Sequence, residues 1–305
     1  MILNFSRIYF YSIIFFVLLA IFFIFIPLYL MYINMLPMKT YNESPAPDDF
    51  NMNYEKITAV SFDGFELKAW LIKGKDSAPA VIMVHGKGGN KSGLLHLARI
   101  VNSKGYHVLL PDLRGHGESG NALMTFGLDE AKDLETIYDS LKRRGNIDSS
   151  RVCVYAQSMG SAASVLAFVN KSEIRGFVID SGFDSLDELI ADVGSESYGL
   201  PHWLGKMSTW TYRVFTGHSA SEVNPAELLS RSDKSVLLFH SKNDRVIPFR
   251  RALSLFEKIA GPKRLVQSEA GHTGAWGENP GEYEKKLLKF FDGCFSKEHF
   301  DPNSI

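Results

Sequence analysis

Hydrophobic and polar positions divide the chain into a long apolar block at its amino end and a second part in which short apolar runs alternate with amphipathic segments. Residues 8–33 are almost wholly Ile, Leu, Phe, Val, Tyr and Met, and no charged side chain lies between Arg7 and Lys39. A helix of this length can span about 30 Å of hydrocarbon. The block is too long and too apolar for a core helix, and it lacks the small-residue cleavage site of a signal peptide. We therefore predict an uncleaved, single-pass membrane anchor.

Short polar segments flank this predicted anchor. Residues 1–7 form a tail before it, and residues 34–53, with their prolines and acidic residues, are predicted to be a linker that lifts the next domain off the membrane. Arg7 on one side of the anchor is opposed by Lys39 on the other, so the charge difference across it is small. We expect the amino terminus in the cytosol and the domain on the extracytoplasmic side of the cell membrane.

Residues 54–295 have the pattern of one α/β domain, followed by a tail at 296–305. Asp63 and Gly64 separate two strand-like runs, which is a strong hairpin signal. Strand and helix patterns then alternate, which predicts a mostly parallel sheet with helices on both faces and the hairpin at one edge. The core strands are predicted at residues 80–84, 107–111, 151–156, 176–180, 235–240 and 264–268.

Residues 183–230 interrupt this alternation and are too long for a plain connection. We predict a crossover helix near residues 186–193, followed by a small helical cap. The cap contains four aromatic residues that either form its own core or line a substrate pocket. They are Trp203, Trp210, Tyr212 and Phe215.

The composition of the chain argues against a nucleic-acid partner, a disulfide framework and a metal site. The net charge of the 305 residues is −1 and the basic residues are scattered, so we expect no nucleic-acid partner. Cys153, inside a predicted strand, and Cys294, near the end of the chain, are the two cysteines. Their number and spacing indicate neither a disulfide framework nor a metal site.

Ser158 lies where a strand pattern changes abruptly into a helix pattern. The surrounding sequence is Ala156-Gln-Ser-Met-Gly160, which differs only at its first position from the Gly-x-Ser-x-Gly turn that exposes a nucleophilic serine. The small neighbours allow a sharp turn, and the amino end of the following helix favours negative charge near the hydroxyl. Taken alone, the pattern also fits an ordinary strand-to-helix turn.

Asp244 and His272 follow two later strands, at the sheet edge where a site is expected. A serine hydroxyl needs an imidazole to remove its proton, and the imidazole needs a carboxylate to orient it. The chain order Ser158, Asp244, His272 is the order expected for such a triad on this kind of sheet. Asp180 also ends a strand and is the alternative acid, but Asp244 is favoured because its Asn-Asp-x-x-Ile-Pro context predicts an exposed loop.

The glycine-rich segment after the strand at residues 80–84 could bring backbone amides to a bound oxygen. The amides of Lys87 and Met159 are predicted to form a two-donor oxyanion hole. A phosphate-binding loop is the alternative, but its Gly-x-x-x-x-Gly-Lys-Ser/Thr pattern is not present. His116, in a tight Arg-Gly-His-Gly turn, is predicted to be structural.

Together, these segments resemble the α/β-hydrolases, and among them the BEM46-like and serine-aminopeptidase-like serine hydrolases with an amino-terminal membrane anchor. The resemblance covers residues 54–293 and implies an eight-stranded sheet with a cap before the strand that carries Asp244. The segments that carry it are His85-Gly86-x-Gly-Gly89, Asp112-x-Arg-Gly-x-Gly-x-Ser119, Ala156-x-Ser-x-Gly160, Asn243-Asp244-x-x-Ile-Pro248 and Gly271-His272.

The resemblance implies acyl transfer through an acyl-enzyme, with no metal or organic cofactor. We expect a carboxylic ester hydrolase that acts on a small-molecule or lipid acyl substrate. A peptidase or amidase of the same fold is one alternative, and a membrane-anchored binding protein without turnover is another. The fold alone does not distinguish them.

Overall fold

An eight-stranded sheet organises the chain after residue 53. The computed structural model describes residues 2–39, 45–199, 201–296 and 301–302. In space the strands follow the order β1-β2-β4-β3-β5-β6-β7-β8. Their bounds are β1 Tyr54–Val60, β2 Glu66–Ile72, β3 Ala78–Val84, β4 His107–Pro111, β5 Ile147–Gln157, β6 Ile174–Asp180, β7 Ser235–Ser241 and β8 Lys263–Ser268.

The pairing of the strands confirms a mostly parallel sheet with an antiparallel hairpin at one edge. β1 pairs antiparallel with β2, and β2 pairs antiparallel with β4. The other five pairings are parallel. In the hairpin turn Gly64 has a φ of 91°, a left-handed conformation that glycine adopts without a steric penalty.

Helices cover both faces of the sheet. β3 shows how one apolar strand serves two cores: Ile82 and Val84 face one buried cluster, whereas Val81 and Met83 face the other. The helices of the domain are α3 Leu95–Ser103, α4 Leu128–Lys142, α5 Met159–Phe168, α6 Leu186–Tyr198, α7 His202–Met207, α8 Trp210–Thr216, α9 Pro225–Leu229, α10 Phe249–Lys258, α11 Ala275–Glu278 and α12 Pro280–Phe295.

Helices α6 to α9 lie between β6 and β7 and form the region predicted as a cap. The crossover helix α6 is longer than the predicted 186–193, because Gly194 does not end it. A Cβ on Gly194 would lie 3.0 Å from the Cα of Gly205, so the glycine serves a close approach of α6 to α7. The helix ends instead at Gly199, whose φ is 65°.

The apolar block forms a continuous helix that begins before and ends after the predicted anchor. It consists of α1 (Ile2–Ala20), a π-helical turn (Ile21–Phe25) and α2 (Ile26–Met35). Its segment Ser6–Met35 is long enough to cross a membrane and contains an 18-residue window with a mean hydropathy of 3.0. The π turn precedes Pro27, which has no N–H to donate, and the Ile26 amide bonds to the Ile21 carbonyl five residues back.

The carboxyl end of this helix packs into the domain. Met31 and Met35 are buried in a cluster with residues of the cap, and the Met124 amide donates to the Met35 carbonyl at 2.8 Å. The Met38 amide donates to the Gly115 carbonyl at 2.9 Å. The predicted linker 34–53 therefore contacts the domain along this part and is not a free spacer there, although residues 40–44 lie outside the described residues.

Candidate active site

Ser158 lies between the end of β5 and the start of α5, in a strained backbone conformation with φ 50° and ψ −124°. This conformation is uncommon for a residue with a side chain and is typical of a sharp strand-to-helix turn. Two glycines permit the surrounding chain to come close. A Cβ on Gly86 would lie 2.9 Å from the Ser158 Cβ, and a Cβ on Gly160 would lie 2.3 Å from the His85 carbonyl oxygen.

The structure brings Ser158, His272 and Asp244 together at the carboxyl edge of the sheet. The Ser158 Oγ lies 2.9 Å from the His272 Nε2, and the His272 Nδ1 lies 2.7 Å from the Asp244 Oδ2. The hydroxyl can therefore donate to Nε2 while the Nδ1–H donates to the carboxylate. Such a chain of hydrogen bonds prepares a serine for nucleophilic attack.

The Asp244 carboxylate is almost fully buried and its second oxygen is also occupied. The amides of Val246 and Ile247 donate to Oδ1 at 2.8 and 2.9 Å. Burial raises the pKa of Asp244, but the hydrogen bonds from His272 and the two amides outweigh burial and leave the pKa below its usual value. Asp244 is thus held as an anion beside the imidazole.

Asp180, the alternative acid, is engaged elsewhere. Its Oδ2 accepts hydrogen bonds from the hydroxyls of Tyr283 at 2.7 Å and Tyr155 at 3.1 Å. Burial raises the pKa of Asp180, and these hydrogen bonds compensate only in part. Its position between two tyrosines indicates a structural role below the serine turn.

The loop after β3 lies directly beside Ser158, as the contact of Gly86 shows. Within the described residues, neither the Lys87 amide nor the Met159 amide donates a hydrogen bond to another protein group. Met159 is also the first residue of α5, whose amino end favours negative charge. Both predicted oxyanion donors thus remain available to a ligand.

Two buried histidines hold this loop. The His85 Nδ1 donates to the Gly86 carbonyl at 2.7 Å, and its Nε2 accepts from the Leu113 amide. The His116 Nε2 accepts from the Gly88 amide at 3.0 Å. Burial lowers the pKa of His85 to about 4, so the ring is neutral. Both imidazoles are structural, in line with the prediction for His116.

Two positioning side chains were not predicted from the sequence. The Ser181 hydroxyl accepts from the amide of Thr273, the residue after His272, at 2.9 Å. The buried His240 Nε2 donates to the Ile247 carbonyl at 2.9 Å, which holds the turn that carries Asp244. The sequence offered one signal, since each residue ends or directly follows a core strand.

The cap aromatics divide into two groups. Tyr212 is fully buried and its hydroxyl donates to the Thr125 carbonyl at 2.6 Å, so it belongs to the cap core. Trp203 and Trp210 are exposed. No group of three or more His, Cys, Asp or Glu side chains is placed to hold a metal ion in the described part of the chain.

Known structures share the fold. An esterase from Pyrococcus furiosus matches with a TM-score of 0.68 and 22% identity, covering 84% of this chain and 96% of that chain. An acylaminoacyl peptidase from Pyrococcus horikoshii matches with a TM-score of 0.66 and 18% identity, covering 83% of this chain and 44% of that one. The chain therefore has the α/β-hydrolase fold.

Sequence comparison identifies the family. The model of the family described as "Serine aminopeptidase, S33" matches residues 75–236. The protein YqkD of Bacillus subtilis is 30% identical over 233 residues, which cover 75% of this chain and 76% of YqkD. Protein bem46 of Schizosaccharomyces pombe is 24% identical, covering 78% of this chain and 77% of bem46. The chain belongs to the serine aminopeptidase S33 family of α/β-hydrolases, in the BEM46-like group.

Proposed function

We propose that this protein is a membrane-anchored serine hydrolase that cleaves carboxylic ester bonds. The observation that carries the proposal is the chain of hydrogen bonds from Ser158 through His272 to Asp244. Membership of a hydrolase family and similarity of fold to an esterase support the same reaction class.

In the proposed reaction, His272 takes the proton of Ser158 as the oxygen attacks the acyl carbon. The negative oxygen that forms is bound by the amides of Lys87 and Met159. His272 then donates its proton to the leaving alcohol, which departs as the acyl-enzyme forms. Water, deprotonated by His272, releases the acid and restores Ser158, while Asp244 stabilises the imidazolium throughout.

An ester is favoured over a peptide with a free amino end because of the charges beside the proposed site. An aminopeptidase must bind the positive α-ammonium group of its substrate, which calls for a free carboxylate. The carboxylates next to Ser158 are already engaged, Asp244 by His272 and Asp180 by two tyrosines. The charged side chain of the adjoining loop is Lys87, a cation. The family name and the fold of an acylaminoacyl peptidase keep peptide hydrolysis as the second candidate.

The amino-terminal helix supports the anchoring part of the proposal. The 18-residue window of highest hydropathy within Ser6–Met35 has no buried residue, so that part of the helix has no protein surface to cover it. Exposure of so long an apolar surface to water is unfavourable, whereas hydrocarbon accommodates it. We place the domain on the extracytoplasmic side, as the sequence suggested.

Ester turnover by the full-length chain in detergent tests the proposal. We expect hydrolysis of p-nitrophenyl esters and much slower hydrolysis of the matched aminoacyl p-nitroanilides. Ser158→Ala should abolish turnover. Ser164→Ala is the matched control, because this buried hydroxyl near Ser158, on α5, has no hydrogen-bond partner among the described residues.

Faster cleavage of the anilides would replace the ester proposal with peptide hydrolysis. Turnover that survives in Ser158→Ala, or that is absent from a folded wild-type chain, would contradict a serine hydrolase.

A further inference from the structure

The outer surface of the cap carries an apolar stripe. Each of the helices α7 and α8 carries two exposed apolar side chains four residues apart, the interval that places residues on one side of a helix. Other residues of the same two helices, Gly205, Thr211 and Tyr212, are buried. The members of this cap stripe are Trp203, Met207, Trp210 and Val214, which are 63, 60, 41 and 58% exposed. Apolar residues that are scattered singly over a surface need no explanation, but a contiguous set indicates an interaction surface.

The cap stripe adjoins the amino-terminal helix. The rings of Tyr32 on α2 and Phe215 on α8 are 5.7 Å apart. Met31 and Met35 share a buried cluster with Tyr212, which also lies on α8. The helix that enters the membrane and the helix that bears half of the stripe are therefore packed against each other.

The length of exposed helix places the bilayer surface at the cap. Residues 21–26 are exposed, partial burial begins at Pro27, and Met31 is buried in a cluster with residues of the cap. The apolar segment from Ile8 to Ile26 contains about 19 residues and measures roughly 28 Å at 1.5 Å per residue. This is close to the thickness of the hydrocarbon core, about 30 Å. The lipid headgroups then lie level with the start of the domain, which leaves no gap for a spacer.

The charges around the stripe suit a lipid surface. No Asp or Glu occurs between residues 197 and 221, while Lys206 and Arg213 lie within this segment. Lys206 is paired with Glu188 of α6, and Arg213 is exposed. Cationic side chains are attracted to anionic headgroups, and tryptophan prefers the interface between hydrocarbon and water.

We propose that the cap stripe inserts into the leaflet from which the amino-terminal helix emerges. This inference rests on the proposed anchoring and deepens the proposed function. The buried cluster that holds Met31, Met35 and Tyr212 also includes Ala162 and Ile247, so the cap packs against the segments that carry Ser158 and Asp244. The site then receives its ester substrate from the membrane, as a lipid or another acyl amphiphile.

Tryptophan fluorescence tests the inserted stripe, because the anchor helix contains no tryptophan. The chain has four tryptophans. Trp70 is buried, and the Trp276 indole N–H donates a hydrogen bond to Glu284 on α12. The full-length protein is reconstituted into phosphatidylcholine and phosphatidylglycerol vesicles, with acyl chains either plain or brominated near the headgroup. Bromine quenches only tryptophans that contact the lipid. We expect quenching of up to about half of the emission, because two of the four tryptophans lie in the stripe.

Three variants identify the source of the quenching. The double variant Trp203→Phe and Trp210→Phe keeps the stripe apolar and should lose the quenching, whereas Trp276→Phe should retain it. Met207→Glu keeps both tryptophans, but places a charge in the middle of the stripe and should reduce the quenching several-fold.

Quenching that is absent in the wild type, or unchanged in the double variant, overturns the inserted stripe. Fluorophosphonate labelling of the same vesicles separates this result from the hydrolase proposal, because labelling depends on Ser158 and quenching does not. Release of the protein from the vesicles by alkaline carbonate would instead refute the anchor.

Discussion

Replacing Gly160 with alanine tests whether the close approach of the oxyanion loop to the serine turn is needed for activity. The added Cβ would lie 2.3 Å from the His85 carbonyl oxygen, whereas ordinary contacts begin at 3.4 Å. The loop or the helix must therefore move by roughly 1 Å. Overpacking of this kind costs about 1–3 kcal/mol, partly offset by the higher helix propensity of alanine.

The effect on catalysis should exceed the effect on stability. A shift of about 1 Å carries the Lys87 amide away from the oxyanion, and loss of one such donor lowers the rate by about 10²- to 10³-fold. We expect a similar loss in the rate of fluorophosphonate labelling of the full-length chain in detergent, with cooperative thermal unfolding retained.

Gly93→Ala is the matched control for this variant. It lies in the 3₁₀ helix that precedes α3, and a Cβ there would meet no atom within 4 Å. Its labelling rate should equal that of the wild type. If folded Gly160→Ala were also labelled at the wild-type rate, the assignment of this loop to the oxyanion hole would be refuted.

The other predictions concern the acids and the buried histidines. Asp244→Asn should lower ester turnover by about 10³- to 10⁴-fold with little loss of stability, because the side-chain oxygen can still accept from the Val246 and Ile247 amides. Asp180→Asn should lower the melting temperature but leave turnover of the folded enzyme within a few-fold; a 10³-fold loss would make Asp180 the triad acid. Acid should destabilise the fold, because the unfolded chain binds a proton at His85 near pH 6.5 while the folded chain does so only near pH 4. The contribution of His85 to the free energy of unfolding is fully present above pH 6.5, and up to about 3 kcal/mol of it is lost as the pH falls to 4. Chemical unfolding at several pH values measures this loss. A His85→Gln variant with the same pH dependence would exclude His85 as the cause.

Local sequence patterns predicted the sheet, and they predicted that three residues far apart in the chain form one catalytic triad. Most of the core strands contain a short apolar run, and Ser158, Asp244 and His272 each follow a strand. Because parallel strands end at the same edge of a sheet, their position along the sequence was enough to predict that they meet. The same reasoning predicted that the loop of Lys87 lies beside Ser158, and Gly86 of this loop lies against the Ser158 side chain.

What could not be predicted depends on contacts between segments far apart in the chain. The burial of Met31 and Met35 requires a cap whose residues lie about 180 positions later in the chain. The residues that follow the predicted anchor were therefore predicted to be a linker. Gly194 was predicted to end a helix, because its close contact with Gly205 forms only in the folded chain. Ser181 directly follows a core strand, but its hydrogen bond to Thr273 could not be predicted, since it joins two loops that are far apart in the chain.

Mapping the site of covalent labelling is the most direct test of an activated Ser158. The full-length protein is treated with a fluorophosphonate and digested, and the modified residue is identified by mass spectrometry. We predict a single phosphonylated residue, Ser158, with labelling lost in His272→Ala and retained in Ser164→Ala. Modification of another residue, or undiminished labelling of Ser158 in His272→Ala, would contradict the proposed nucleophile and its base.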